Sequence, residues 1–260
     1  MSDLVSSLDW STIPDHIVEV LLIVFMVFVF YGLLSAHWFL ACKLIDPATE
    51  KRQMLSFFAS QPYKYLPTSI FTFSSRAKFS SQLGMSLKKS SAAQLVENFD
   101  LIGSAIGIGA LALLFQRSQV AFWGALTLLV ALSGALWYKG SIFVPKLRRK
   151  INLQNWIMAV FVTLCAWVVA GLAFALTAHV FSGQVSTINM IAANAIAFGA
   201  SILAVFAPGG LGVRETIFTY FSVALGAIVL WRLITMAVDG VVGVVAAVMI
   251  RKQTKATRRT

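Results

Sequence analysis

Six long apolar runs, at 17–41, 99–115, 120–138, 156–181, 187–206 and 231–250, constrain this chain more than any other feature. A helix needs about 20 mostly apolar residues to cross the hydrocarbon of a bilayer. A shorter run, 216–230, rises only about 22 Å as helix against a hydrocarbon core of about 30 Å. Hydrophobic residues make up 58% of the 260 and charged residues only 12%, with a mean hydropathy of +0.82. A soluble domain carries about 25% charged residues, so this chain has too little charge to cover a water-facing surface. The expected fold is all-α: a polytopic membrane helix bundle of seven spans, one integral membrane domain over 1–260. Cys42 and Cys165 lie at or inside apolar runs, which excludes a disulfide scaffold. A disordered tail protein and a water-soluble nucleic-acid binder are excluded by the same composition.

The charges orient the bundle. The first sixteen residues hold Asp3, Asp9 and Asp15 and no Lys or Arg, unlike a cleaved signal peptide. Basic residues concentrate in 42–98, in 139–155 and in the tail 251–260. Seven spans with the N-terminus outside put 19 of the 21 basic residues in the cytoplasm, and leave Arg117 and Arg232 outside. The expectation is a multi-pass protein of a bacterial-type plasma membrane, with 1–16 as an outer segment and a cytoplasmic C-terminus. The net charge of +11 then reports topology and contact with anionic lipid, not nucleic acid.

Two segments break the pattern. Residues 53–73 are mostly apolar but contain Pro62, Lys64 and Pro67, and proline disrupts a helix interior. This segment is either an interfacial helix or a re-entrant element. The second break reads Phe206-Ala-Pro208-Gly209-Gly210-Leu-Gly212-Val-Arg214-Glu215. Pro208 ends one helix and another starts near Val213, with backbone N–H groups at its start that favour an anion. In lipid, irregular backbone survives only where protein or a water-filled cavity satisfies it, and paired broken helices point to a transporter site.

Enzyme patterns are missing from the sequence. His16, His37 and His179 have no partner at metal-ligand spacing, and no phosphate loop or nucleophile motif occurs. His16 reads as a solvated flank, His37 and His179 as interface residues. No metal, cofactor or catalytic residue is expected. The informative residues are charges in or near apolar segments: Lys64, Arg76, Glu97, Asp100, Arg214, Glu215, Arg232 and Asp239. A charge at the bilayer centre costs at least about 2.5–3.5 kcal/mol, so Asp239, midway along 231–250, needs a partner or water. Arg232 lies about 10 Å up the same face, too far for a direct pair. Asn189 and Asn194 read as interhelix hydrogen-bonding amides. Gly103 and Gly107 form a Gly-x-x-x-Gly run that permits close packing within the subunit or across a dimer. Trp10, Trp38, Trp123, Trp137 and Trp156 read as an aromatic belt.

The stretch Ala207-Pro-Gly-Gly-Leu-Gly-Val-Arg-Glu215 resembles the transmembrane region of the lysylphosphatidylglycerol synthase family, whose members carry Pro-Gly-Gly-Leu-Gly before an aliphatic or Val-x-Glu ending. Lys64-Tyr-Leu-Pro-Thr-Ser-Ile-Phe-Thr-Phe-Ser-Ser-Arg76 is similar to the family's Tyr-hydrophobic-Pro-Gly segment with its following Arg. Gly84, Ser86 and Glu97 sit where the family has a Gly-x-Ser turn and a Glu opening the next helix. The resemblance covers roughly 35–250. Thr68 stands where the family has Gly, and the family's earlier helix is not found before 17–41. The soluble aminoacyl-transferring domain is not expected on this chain, so aminoacylation of lipid is not expected either.

The resemblance implies the flippase-like, stand-alone form. The expected function is translocation of a phospholipid or lipid-linked headgroup at the two breaks near Pro67 and Pro208. Arg76, Pro208, Gly209, Gly210, Gly212, Arg214 and Glu215 are the expected binding residues. Lys64, Glu97, Asp100, Arg232 and Asp239 are the expected charge partners. The alternative is a membrane component or enzyme subunit of cell-surface glycan or lipid-linked saccharide synthesis. A third reading is a scaffold that docks a biosynthetic partner through its basic loops. Expected partners are an anionic or aminoacylated phospholipid or a lipid-linked sugar, with a homo-oligomer or a biosynthetic partner protein left open.

Overall fold

The computed structural model describes residues 13–68, 70–125, 153–182, 185–204 and 207–257. The run 126–138, most of the basic stretch 139–155, the first twelve residues and the last three lie outside the described residues. Every regular element described is a helix: α1 (Ile17–Ile45), α2 (Met54–Ser60), α3 (Ile70–Gln82), α4 (Leu87–Arg117), α5 (Leu153–Ser182), α6 (Thr187–Leu203), α7 (Val213–Tyr220) and α8 (Leu225–Thr257). Four helical stretches are long and apolar enough to cross a membrane: Pro14–Ile45, Leu87–Arg117, Gln154–Phe181 and Leu225–Lys255. Their outward faces carry Leu21, Phe25, Phe161, Val244 and Val248, all exposed, as a surface facing acyl chains requires.

The local chemistry explains the helix starts. Ser86 caps α4 by accepting from the Lys89 N–H, and Ser186 caps α6 by accepting from Asn189, each at 3.4 Å. Helices then pack through small residues and aromatics. Ala166, Ala170, Ala173 and Ala178 on α5 and Ala192, Ala193, Ala195 and Ala197 on α6 are buried, which brings backbones close. Phe30 of α1, Trp167 of α5 and Phe198 of α6 meet with ring centroids 5.0–6.4 Å apart. Phe174 of α5 stacks on Phe218 of α7 at 4.4 Å and meets Trp231 of α8 at 5.5 Å.

Several expectations change here. The run 216–230 is not one helix: α7 ends at Tyr220, a turn follows with Ser222 at φ 55°, and α8 is continuous from Leu225. The hydropathy runs on across this turn, so nothing in composition marks it. The segment 187–206 yields a helix of only 17 residues, α6. Among the described residues a Cβ on Gly103 or Gly107 would meet nothing within 4 Å; α4 packs on α6 through Ala105 and Gly109, where a Cβ on Gly109 would lie 2.5 Å from Ile196. Trp38 is fully buried, donating to Gln53 O at 3.1 Å and Ser56 Oγ at 3.0 Å, so it belongs to the core and not to a belt. His37 is fully buried too, not interfacial.

The two broken segments form opposed hairpins. Helices α2 and α3 pack on each other, and Leu83, at the outer end of α3, clusters with Ala59 and with Ala246 and Ile250 towards the end of α8. Helices α6 and α7 pack on each other at the opposite end, where Gln116, near the end of α4, donates to Asn189 at 2.7 Å. The tips meet midway: a Cβ on Gly209 would lie 3.0 Å from the Tyr65 ring.

Candidate functional site

Each tip is held by a charge pair anchored on α8, and of the four side chains only Asp239 is fully buried. At the first, Lys64 Nζ lies 2.7 Å from Asp239 Oδ2 and donates to the Tyr31 hydroxyl at 3.0 Å. The Tyr65 hydroxyl donates to the same Asp239 oxygen at 2.5 Å. Asp239 is fully buried; Oδ2 takes both donors, and Oδ1 has no hydrogen bond among the described residues. At the second tip, Arg232 Nε donates to Glu215 Oε1 at 2.7 Å, Nη1 to Gly209 O at 2.8 Å and Nη2 to Gly210 O at 3.2 Å. One guanidinium thus satisfies two carbonyls that the break frees from helix. Arg232 and Asp239 do not pair with each other; each takes a partner from a different break.

The start of α7 is partly filled by its own chain. Glu215 Oε2 accepts from the Gly212 N–H at 2.8 Å, so that donor already has its anion. Gly212 faces open space. Gly210 does the structural work, with φ 71° and a Cβ position 2.4 Å from Ser201 Cβ. Only glycine allows that approach of the break to α6.

Between the tips lies a cavity of about 130 Å³, on the order of ten times what one water requires. Three cations reach it: Lys64, Arg76 and Arg214. Arg76 donates through Nε to Ser60 Oγ at 3.0 Å and through Nη1 to Glu97, and its guanidinium covers Trp38 and Phe57 at 5.2 and 4.8 Å. Arg214 donates to Ser201 Oγ from Nε at 3.1 Å and from Nη2 at 2.9 Å, and lies 4.7 Å over Phe198. Among the described residues Arg214 has no carboxylate partner, so its charge is open to a ligand.

The sequence-expected residues therefore divide. Arg76, Gly209, Gly210, Arg214, Lys64 and Glu97 line the cavity. Pro208, Gly212 and Glu215 build the second break beside it, and Arg232 and Asp239 hold the tips from α8. Asp100 lies near His37, Oδ2 to Nε2 3.5 Å, outside the lining. Sequence reading missed Tyr31, Gln61, Gln94, Asn98 and Ser201, which supply most of the neutral polar lining. Gln94 and Asn98 sit four apart beside Glu97, a polar stripe that their shared helix face could have signalled.

Among the described residues no group of three or more His, Cys, Asp and Glu side chains is placed to hold a metal ion. No protein-family model, curated protein or solved structure matches this chain.

Proposed function

We propose that this chain is a flippase-like membrane translocator that moves the anionic headgroup of a phospholipid or lipid-linked precursor between leaflets. One observation carries the reading: Arg214, without a carboxylate partner among the described residues, lines a polar cavity between two opposed broken hairpins. A half-buried cation held by a serine hydroxyl and an aromatic face is short of an anion, and a phosphate accepts a guanidinium's forked donors well. Broken helices meeting near the middle of a bundle suit a site reached from either side in turn. The resemblance of 207–215 and 64–76 to the lysylphosphatidylglycerol synthase transmembrane region supports the same class.

In this reading α1, α4, α5 and α8 cross the membrane together with the sequence-expected span 120–138, of which 126–138 lie outside the described residues; the N-terminus is outside and the C-terminus cytoplasmic. The α2–α3 hairpin enters from the cytoplasm, and the α6–α7 hairpin enters from outside in place of two of the seven expected crossings. Arg214, one of the 19 basic residues that seven full crossings put in the cytoplasm, then lies mid-bundle.

A second reading keeps the site and changes the work: a component of lipid-linked saccharide assembly. The amides of Gln61, Gln94 and Asn98 in the lining favour it, because they match sugar hydroxyls. Proteoliposome flipping of headgroup-labelled anionic and aminoacylated lipids decides between them. Translocation predicts flipping that Arg214→Ala cuts at least tenfold while the protein still inserts. Equal flipping by the mutant overturns it. Folded protein that flips no lipid but binds a lipid-linked sugar favours the second.

A further inference from the structure

Behind the cavity, towards the end where α1 finishes, three titratable side chains are short of hydrogen-bond donors. Among the described residues Glu97, 1% exposed, has Arg76 at its Oε2 and no partner at its Oε1. One turn on, Asp100 Oδ2 has no hydrogen bond among the described residues and lies 3.5 Å from His37 Nε2. His37 is fully buried, and among the same residues neither ring nitrogen is hydrogen-bonded. Buried polar atoms are nearly always satisfied, so two carboxylate oxygens and an imidazole left without hydrogen bonds side by side mark a place that can take up a proton. The charged and titratable groups facing Glu97 are Arg76 from α3, His37 and the Cys42 thiol from α1, and Asp100 from its own helix. Lys64, Asp239 and Arg214 complete the charges around the cavity.

We infer that Glu97, backed by His37 and Asp100, is a proton site that couples proton uptake to anion binding in the cavity. The inference rests on the translocator reading. A proton on Glu97 neutralises the carboxylate and ends its ion pair with Arg76. Arg76 keeps its bond to Ser60 and its two aromatic faces, so it stays in the lining with its charge unmatched. Beside Arg214 it gives the anion a second cation. Loss of the proton restores the Glu97–Arg76 pair and expels the anion. One proton then travels with one singly charged anion, without net charge movement.

The test mixes the detergent-solubilised full chain with dihexanoyl phosphatidylglycerol in weak buffer near pH 7 and reads a pH dye. Wild type is expected to take up about one proton per lipid bound, and Glu97→Gln less than a tenth of that. Glu97→Asp restores uptake, which a purely structural role would not. Asp100→Asn, on a side chain that is a quarter exposed, guards against a Glu97 variant that fails to fold, and lowers uptake at least threefold. In proteoliposomes an imposed pH gradient speeds wild-type flipping at least fivefold and changes Glu97→Gln less than twofold. Lipid binding that depends on Arg214 but takes up no proton overturns this inference alone. No binding by wild type overturns the translocator reading and this inference with it.

Discussion

Lys64 and Asp239 form an ion pair, Nζ to Oδ2 2.7 Å, that ties the first break to the middle of the last helix. Removing one partner leaves the other charge buried alone. Asp239→Asn is expected to cost about 3–5 kcal/mol, read as a lower melting temperature in detergent. Replacing both residues together, as Lys64→Met with Asp239→Leu, recovers most of the loss. A single mutant that melts with wild type would remove the pair from any structural role.

The two glycines of the second break should differ sharply. Gly210 and Gly212 both have positive φ, but only Gly210 would press a Cβ into Ser201. Gly212→Ala should cost about 1–2 kcal/mol for its backbone alone. Gly210→Ala adds overpacking, for about 2–4 kcal/mol in all, and displaces the serine that holds Arg214. Thermal unfolding of the two variants side by side checks the ranking.

On α4 the packing stripe can be located the same way. Gly109→Ala drives a Cβ into Ile196 and should destabilise by about 1–3 kcal/mol. Gly103→Ala meets nothing among the described residues and should be neutral or stabilising by up to about 1 kcal/mol, since alanine is the better helix former. If Gly103→Ala instead destabilised the protein, that face would be in contact with something beyond the described residues.

One pH effect is confined to the end of α1. The Lys89 ammonium donates to Asp46 Oδ2 at 2.6 Å and holds that carboxyl below its usual range. A depressed carboxyl stabilises the fold above its unfolded pKa of about 4, and the gain disappears as pH falls through its lower folded value. The pair is partly exposed, so Lys89→Ala should cost only about 0.2–1 kcal/mol at pH 7. Melting curves of mutant and wild type should converge once the pH falls below that folded value, and a gap that persisted there would assign the effect to packing.

The breaks were legible because proline and glycine carry their conformational limits in the letter code. Pro208, Gly209 and Gly210 announce a stop wherever they occur, and Lys64 between two prolines could not be lipid-facing helix. The turn at 221–224 was illegible for the opposite reason: Phe221, Ser222, Val223 and Ala224 include no breaker, and only tertiary packing of Phe218 on Phe174 shows why the chain bends there. The charged residues could be listed but not matched. Which carboxylate Arg232 takes depends on where α7 lies against α8, and no spacing rule relates positions 215 and 232. His37 was misplaced because a histidine near the end of an apolar run looks interfacial, and nothing in the run shows that α1 turns it inward beside Asp100 of α4.

Arg232 and Asp239 sit two turns apart on α8, and between them they fasten both tips. The hairpins enter from opposite ends but share this one bar, so neither tip can swing without straining the grip on the other. A slide of α8 by a single turn, about 5.4 Å, would unfasten both at once. The cavity lining draws on other side chains, among them Arg76 on α3, Gln94 and Asn98 on α4, Ser201 on α6 and Arg214 on α7. Such a division lets the lining change while the latch stays unchanged.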